Sequence, residues 1–169
     1  MTYIFFDTEF TDLVQEPFLI SAGFASEEGR EFYGELEPKF WAPWANQFVQ
    51  ANVVPLLDQV TRRLGGLPPF SLIGLAIAVR TWIEAQPGEV VLVSDSPGYD
   101  LALLLNVFDE ANEPWPRNTE RRARCFSLSS EAAHTYQREF RRIGLPQHHA
   151  LADAKALRAA WSAHGWAQD

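Results

Sequence analysis

The chain has 169 residues, of which 47% are hydrophobic and 13% aromatic, so we expect one globular domain, residues 1–169, with a single core. The formal net charge of −8 argues against a protein that covers a long nucleic-acid duplex with a uniformly basic surface. Cys125 is the single cysteine, which excludes an intrachain disulfide and a cysteine-rich metal site and fits a reducing, cytoplasmic compartment.

The start of the chain and its apolar stretches predict neither a secretory leader nor a membrane span. Residues 1–7 contain no basic segment, and their apolar run meets an acid at Asp7. The longest weakly charged stretch, 64–78, is interrupted by glycines and prolines. It is also shorter than the ~20 apolar residues that a membrane-spanning helix needs.

Strand patterns come first along the chain. Residues 3–7 form a short apolar and aromatic run that ends at an acid, which is typical of a buried strand. Residues 18–25 form a second apolar run. The turn signal at 27–29 joins this run to a third strand at 30–36, so a hairpin is predicted.

Helices and strands alternate in the rest of the chain. Further strands are predicted at 89–95 and 124–128. Helices are predicted at 44–51, 54–63, 72–85, 99–108, 130–143 and 149–163. This order of elements predicts an α/β fold in which helices pack on a β-sheet.

Two acids, Asp7 and Glu9, flank Thr8 at the end of the first predicted strand. Side chains two residues apart point to the same side of a strand, so these carboxylates face one point. They repel each other unless a divalent cation lies between them, and hard oxygen ligands suit Mg²⁺ or Mn²⁺. A solvated strand end explains the pair as well, and both interpretations stay open.

A third acid, Asp100, lies in the first turn of the helix predicted at 99–108. The helix dipole stabilises a carboxylate there by roughly 0.3–1 kcal/mol, so a purely structural role is also consistent with this position. Asp95, at the end of the preceding strand, competes with Asp100 for any functional role.

The most specific pattern is His148 five residues before Asp153, at the entry to the last predicted helix. An aspartate among alanine and leucine residues costs free energy unless it is paired or binds a metal. A histidine beside it can take up a proton near neutral pH. Ordinary capping is the alternative explanation.

In this order, the three segments resemble the three exonuclease motifs of the DEDDh family, which includes oligoribonuclease, ribonuclease T and the proofreading subunit of bacterial replicative polymerase. The matching residues are Asp7-Thr8-Glu9, Tyr99-Asp100, and His148 with Asp153. The tyrosine branch of the family would have Tyr at the position of His149. Residues 19–24, 28–36 and 52–57 are similar to a bacterial, mycobacterial-type exoribonuclease subfamily, but Ser94-Asp95 stands where many relatives have His-Asn.

The resemblance implies a ribonuclease H-like mixed sheet flanked by helices and a metal-dependent 3′→5′ exoribonuclease. It implies two divalent ions, Mg²⁺ or Mn²⁺, that act together on a phosphodiester. Asp7, Glu9 and Asp153 would hold one ion, Asp7 would bridge to the second, and Asp100 would act mainly through metal-bound water. His148 would be the general base, and the products would be nucleoside 5′-monophosphates. The resemblance also implies a homodimer.

Contacts with the single-stranded RNA or DNA end are predicted from position alone. Thr8 and Phe10 adjoin the first motif, although an aromatic residue there also fits a core position. Arginines concentrate between positions 117 and 142. This concentration fits a phosphate-binding patch, but it fits a solvated helix face or a dimer surface equally well. The arginines proposed for substrate binding are Arg117, Arg121, Arg122 and Arg124. Two alternatives remain: an exodeoxyribonuclease and an inactive binding module of the same fold.

Overall fold

The computed structural model describes residues 1–13, 16–57 and 68–165. Its centre is a five-stranded sheet with the order β3-β2-β1-β4-β5. Strand β2 is antiparallel to both β1 and β3, whereas β1, β4 and β5 run parallel to one another, so the sheet is mixed. The bounds are β1 Thr2–Phe10, β2 Leu19–Ser26, β3 Glu31–Glu35, β4 Val90–Ser94 and β5 Thr119–Cys125. The predicted hairpin is confirmed in β2 and β3.

Helices cover both faces of this sheet. The helices with described bounds are α1 Gln47–Asn52, α2 Leu72–Glu84, α3 Pro97–Glu110, α4 Ser130–Ile143 and α5 Ala150–His164. Two short 3-10 turns, Pro38–Phe40 and Ala42–Trp44, precede α1. Residues 54–57 are helical, and the rest of the helix predicted at 54–63 lies outside the described residues. None of the described helices is long and apolar enough to cross a bilayer.

Side chains of β1 alternate between two cores. Ile4 and Phe6 are fully buried in the core formed with α1, α2 and α3, whereas Phe5 is fully buried in the core beneath α4 and α5. Burying one such side chain contributes roughly 1.5–3 kcal/mol. The same alternation directs Asp7 and Glu9 to the side of α4 and α5 and Thr8 to the side of α3.

A close approach between β2 and α5 determines where Asp153 lies. Gly23 on β2 is the register partner of Asp7. A Cβ atom at Gly23 would lie 2.2 Å from the backbone nitrogen of Leu151, so only glycine permits this contact. The first turn of α5, which contains Asp153, is thereby held beside the end of β1.

The position of β5 corrects the sequence-based prediction. The strand spans Thr119–Cys125, whereas residues 124–128 were predicted. This outermost strand is mostly exposed and carries charged side chains, so it lacks the apolar pattern by which strands are recognised. Phe126, the buried aromatic residue of the predicted segment, follows directly after the strand.

The tryptophans divide between the core and the surface. Trp41 is buried, and three others are partly buried against the two cores. These three are Trp82, Trp115 and Trp161. Trp44 lies at the surface, with 52% of its area exposed. Trp166 lies outside the described residues.

We expect Gly23→Ala to lower the free energy of unfolding by roughly 1–3 kcal/mol, because the added methyl group overlaps the backbone of α5. Urea unfolding monitored by circular dichroism measures the change. Gly98→Ala is the matched control, since a Cβ atom there meets no atom within 4 Å and alanine favours the helix. Equal stability of the two variants would contradict the close approach.

Candidate active site

Carboxylates from four segments meet at the C-terminal ends of β1 and β4 and line one cleft. Ligand oxygens of Asp7, Glu9 and Asp153 lie within 4.8 Å of one another, and so do those of Asp7, Asp95 and Asp100. Asp7 belongs to both groups. The structure therefore brings the four predicted acids together and adds Asp95 to them.

Asp95 and Asp100 do not exclude each other. Asp100 is almost fully buried in the first turn of α3, whereas Asp95 is exposed at the end of β4. Both lie in the group that contains Asp7. Both acids are therefore near enough to Asp7 to hold the same ion, and the functional role of either one stays a prediction.

Three donors fix the carboxylate of Asp100. The backbone N–H and the hydroxyl of Thr8 donate to Oδ1 at 3.1 and 2.6 Å. The hydroxyl of Ser94 donates to Oδ2. Thr8 lines the cleft, and its buried hydroxyl is engaged with Asp100 because strand alternation turns it toward α3. Its contact with substrate stays a prediction.

Asp153 is fixed in a similar way from α4. The buried Tyr136 hydroxyl donates to Oδ1 at 2.5 Å, and the backbone N–H of His149 donates to Oδ2 at 3.1 Å. Sequence reasoning missed Tyr136 as a functional residue. Helical periodicity with Ala132 and Phe140 indicates that it is buried, but not which group its hydroxyl meets.

The pKa values distinguish Asp100 and Asp153, which accept hydrogen bonds, from Asp7 and Glu9. Burial, followed by repulsion from Asp153 and Asp100, raises the pKa of Glu9 to about 8. Burial and the surrounding acids raise the pKa of Asp7 well above its ordinary value. Burial raises the pKa of Asp100 and of Asp153 only to about 6, because hydrogen bonds to their charged forms offset part of the effect.

These properties fit divalent cations. A cluster of like charges away from water is stabilised by protons or by bound cations, and cation binding displaces the protons. The ligand atoms are all carboxylate oxygens, which suit Mg²⁺ or Mn²⁺. The two groups that share Asp7 offer places for two ions.

His148 lines the same cleft as the acids. It precedes α5 in a left-handed backbone conformation with φ 67°, which is uncommon for a residue other than glycine. Its ring meets Phe48 edge-on, with centroids 5.2 Å apart. Residues held in such conformations concentrate at functional sites, and the one here is the predicted general base.

The neighbouring His149 has a different environment. Its ring is buried and stacks on Tyr33 with centroids 4.4 Å apart. Burial lowers the pKa of His149 to about 4, so the ring is neutral near pH 7. Neither ring nitrogen has a hydrogen-bond partner among the described residues. Of the two histidines, only His148 faces the cleft.

Aromatic side chains form the wall of the cleft beyond the acids. Phe10 stacks on Tyr99 with centroids 5.6 Å apart and an interplanar angle of 6°. Both line the cleft together with Phe48. The pairing of β1 with β2 shifts register between Glu9 and Phe10, and such irregularities redirect side chains near active sites.

The predicted arginines lie elsewhere. None of Arg117, Arg121, Arg122 and Arg124 lines the cleft in the part of the chain that the structure describes. Three of them form ion pairs with nearby acids, namely Arg117 with Glu84, Arg121 with Asp109 and Arg122 with Glu120. Phosphate binding by these arginines stays a prediction.

No protein-family model matches the sequence, and a search of curated proteins found no match. Solved structures of low sequence identity are nevertheless similar to the chain. A structure of exonuclease I superposes with a TM-score of 0.59 at 12% identity, covering 97% of this chain and 41% of that one. The nuclease domain of 3′hExo, a DEDDh family member bound to rAMP, superposes with a TM-score of 0.58 at 13% identity, covering 97% and 92%.

Escherichia coli exonuclease I in complex with a dT13 oligonucleotide superposes with a TM-score of 0.55 at 12% identity, covering 94% of this chain and 39% of that one. The chain thus spans about two fifths of the exonuclease I chains and nearly all of the 3′hExo nuclease domain. These likenesses confirm the predicted fold: a ribonuclease H-like α/β fold, as in DEDDh exonucleases.

We expect Tyr136→Phe to weaken metal binding about tenfold, because Asp153 loses the donor that orients its carboxylate. Calorimetric titration of the metal-free protein with Mn²⁺ measures the dissociation constant. The matched control is Thr135→Val, which removes an exposed hydroxyl contact with His164 from the same helix. Unchanged Mn²⁺ affinity in Tyr136→Phe would show that the hydrogen bond does not support the site.

The raised pKa values predict that the metal-free protein loses stability as pH rises. The folded state retains protons on Glu9, Asp100 and Asp153 at pH values where the unfolded chain has released them. The thermal midpoint in EDTA should therefore fall as pH rises from about 5 to about 8. Saturating Mg²⁺ should remove most of the fall, and Glu9→Gln should reduce it. If the thermal midpoint of Glu9→Gln fell by as much as that of the wild-type protein, the raised pKa of Glu9 would not contribute to the pH dependence.

Proposed function

We propose that this protein is a metal-dependent 3′→5′ exonuclease that acts on single-stranded nucleic acid. The observation that carries the proposal is the convergence of two carboxylate groups on Asp7, with His148 in the same cleft. Two divalent ions bound there would neutralise the charge of a phosphodiester and activate a water molecule.

The chain's own residues have distinct tasks in this reaction. Asp7 would be shared by both ions, since it belongs to both groups. Asp100 and Asp153 are each held in one orientation by hydrogen bonds, so they would reorganise little on binding an ion. His148 would take the proton from the attacking water, a contribution typically worth 10²–10⁴-fold in rate.

RNA is the substrate that we propose, because stretches of the sequence are similar to a bacterial exoribonuclease subfamily. The similar 3′hExo domain is bound to rAMP, which agrees with a ribonucleotide product. Single-stranded DNA is the second candidate, because exonuclease I is bound to dT13 and dA16 oligonucleotides. We further propose a homodimer, which sedimentation showing only monomer at micromolar concentration would contradict.

Asp7→Asn and Asp153→Asn should abolish Mg²⁺- or Mn²⁺-dependent release of mononucleotides, because each removes a charge from the metal site. His148→Ala should lower kcat by about 10²–10⁴-fold. The assay follows products from RNA and DNA pentanucleotides of one sequence, which also separates the two candidate substrates.

The matched control for these variants is Asp109→Asn, which changes an exposed acid paired with Arg121 outside the cleft and should retain full activity. Full turnover by Asp7→Asn would overturn the proposed function. Oligonucleotide binding by the unmodified protein with no hydrolysis would identify an inactive binding module instead.

A further inference from the structure

Exposed apolar side chains of this protein concentrate around the cleft. Of the eight large hydrophobic residues that are exposed in the described part of the chain, five line the cleft or an adjoining groove. These five are Leu13, Phe18, Trp44, Phe48 and Tyr99. Such a concentration on a protein surface indicates a binding site.

The adjoining groove is distinct from the cleft and has a volume of about 540 Å³. Phe18 and Trp44 stand at its edge, with ring centroids 4.5 Å apart and an interplanar angle of 31°. Both rings are partly exposed, at 39% and 52%, so they keep surface on which a planar group can stack. Leu103 lines the groove from α3.

The groove adjoins the cleft along two elements. Phe18 accepts a hydrogen bond through its carbonyl oxygen from the backbone N–H of Thr11, at 3.0 Å, and Thr11 follows Phe10 of the cleft wall. On α3, Leu103 of the groove lies one turn after Tyr99 of the cleft. Phe18 therefore lies next to the cleft wall, on one route by which a single strand with its 3′ end at the acids could leave the cleft.

Charge along this path does not favour phosphates. Glu16 and Glu110 line the groove, and its single cation, Lys39, is paired with Glu37 at 2.5 Å. No arginine lines the groove or the cleft in the described part of the chain. Attraction along the path must come from apolar surface, and nucleobases offer flat apolar faces.

We propose that Phe18 and Trp44 form a stacking subsite for a base upstream of the 3′-terminal nucleotide, with the phosphates facing solvent. This inference rests on the proposed function, because it takes the acids as the position of the terminal phosphodiester. The subsite binds single strands in preference to duplexes, whose base faces are already covered. Its affinity depends weakly on salt, since few phosphates are neutralised by the protein.

Trp44→Ala should raise KM for a pentanucleotide about tenfold, because loss of one base-stacking contact has an effect of that size. The kcat value should stay unchanged, and so should the inhibition constant of the nucleoside 5′-monophosphate, which has no upstream base. Phe18→Ala should act in the same direction. Ile77→Ala is the matched control, since it truncates an exposed apolar residue on α2 that lines neither the cleft nor the groove.

A second measurement is independent of turnover: the dissociation constant of a labelled pentanucleotide in EDTA as a function of salt concentration. Trp44→Ala should weaken this binding about tenfold at every salt concentration. Equal KM and equal dissociation constants in the wild-type protein and in Trp44→Ala would overturn the subsite. A variant that changes only the sedimentation of the protein would also overturn it, because the surface would then join two copies. Absence of hydrolysis by the wild-type protein would instead count against the proposed function.

Discussion

The carboxylates around Asp7 repel one another in a site that is partly withdrawn from water, and the surrounding structure acts against this repulsion. Alternation along β1 directs Asp7 and Glu9 to one side. The contact of α5 with Gly23 then holds Asp153 beside them. Burial would favour the neutral forms of these acids, whereas a divalent cation favours the charged forms. The fold thus maintains an arrangement that is most favourable when a cation is bound.

Hydrogen bonds divide the acids into two kinds. Asp100 and Asp153 accept hydrogen bonds from Ser94 and Tyr136, which lower the cost of their negative charge. Among the described residues, Glu9 accepts no such hydrogen bond, and its pKa rises to about 8. Ser94 belongs to strand β4 and Tyr136 to helix α4, so both the sheet and a helical layer contribute to the geometry of one cleft. Occupancy by metal should therefore depend on the packing of α4 as well as on the acids.

Much of the fold could be predicted because periodicity and caps report local interactions. Helix α4 has the predicted bounds, 130–143, since Ser129 caps it and Gly144 ends it in a left-handed conformation. Strand β5 was predicted too far along the chain, because its exposed arginines interrupt the apolar pattern by which a strand is recognised. The acids were identified by position and spacing, but Tyr136 was not, because its contact with Asp153 depends on how α4 packs against α5. The exposure of Trp44 likewise depends on tertiary packing, about which composition says nothing.

A protein with a net charge of −8 that binds a polyanion has to confine attraction to a small region. Here the acids would provide this attraction indirectly, because cations bound among them would make the most negative part of the cleft a binding site for one phosphodiester. Beyond that point, ion pairs engage several of the arginines, and the exposed surface is aromatic. Such a surface attracts unstacked bases without attracting duplex backbone. The proposed preference for single-stranded ends would then follow from the absence of arginines from the described lining of the cleft and of the groove beside it as much as from the aromatic rings.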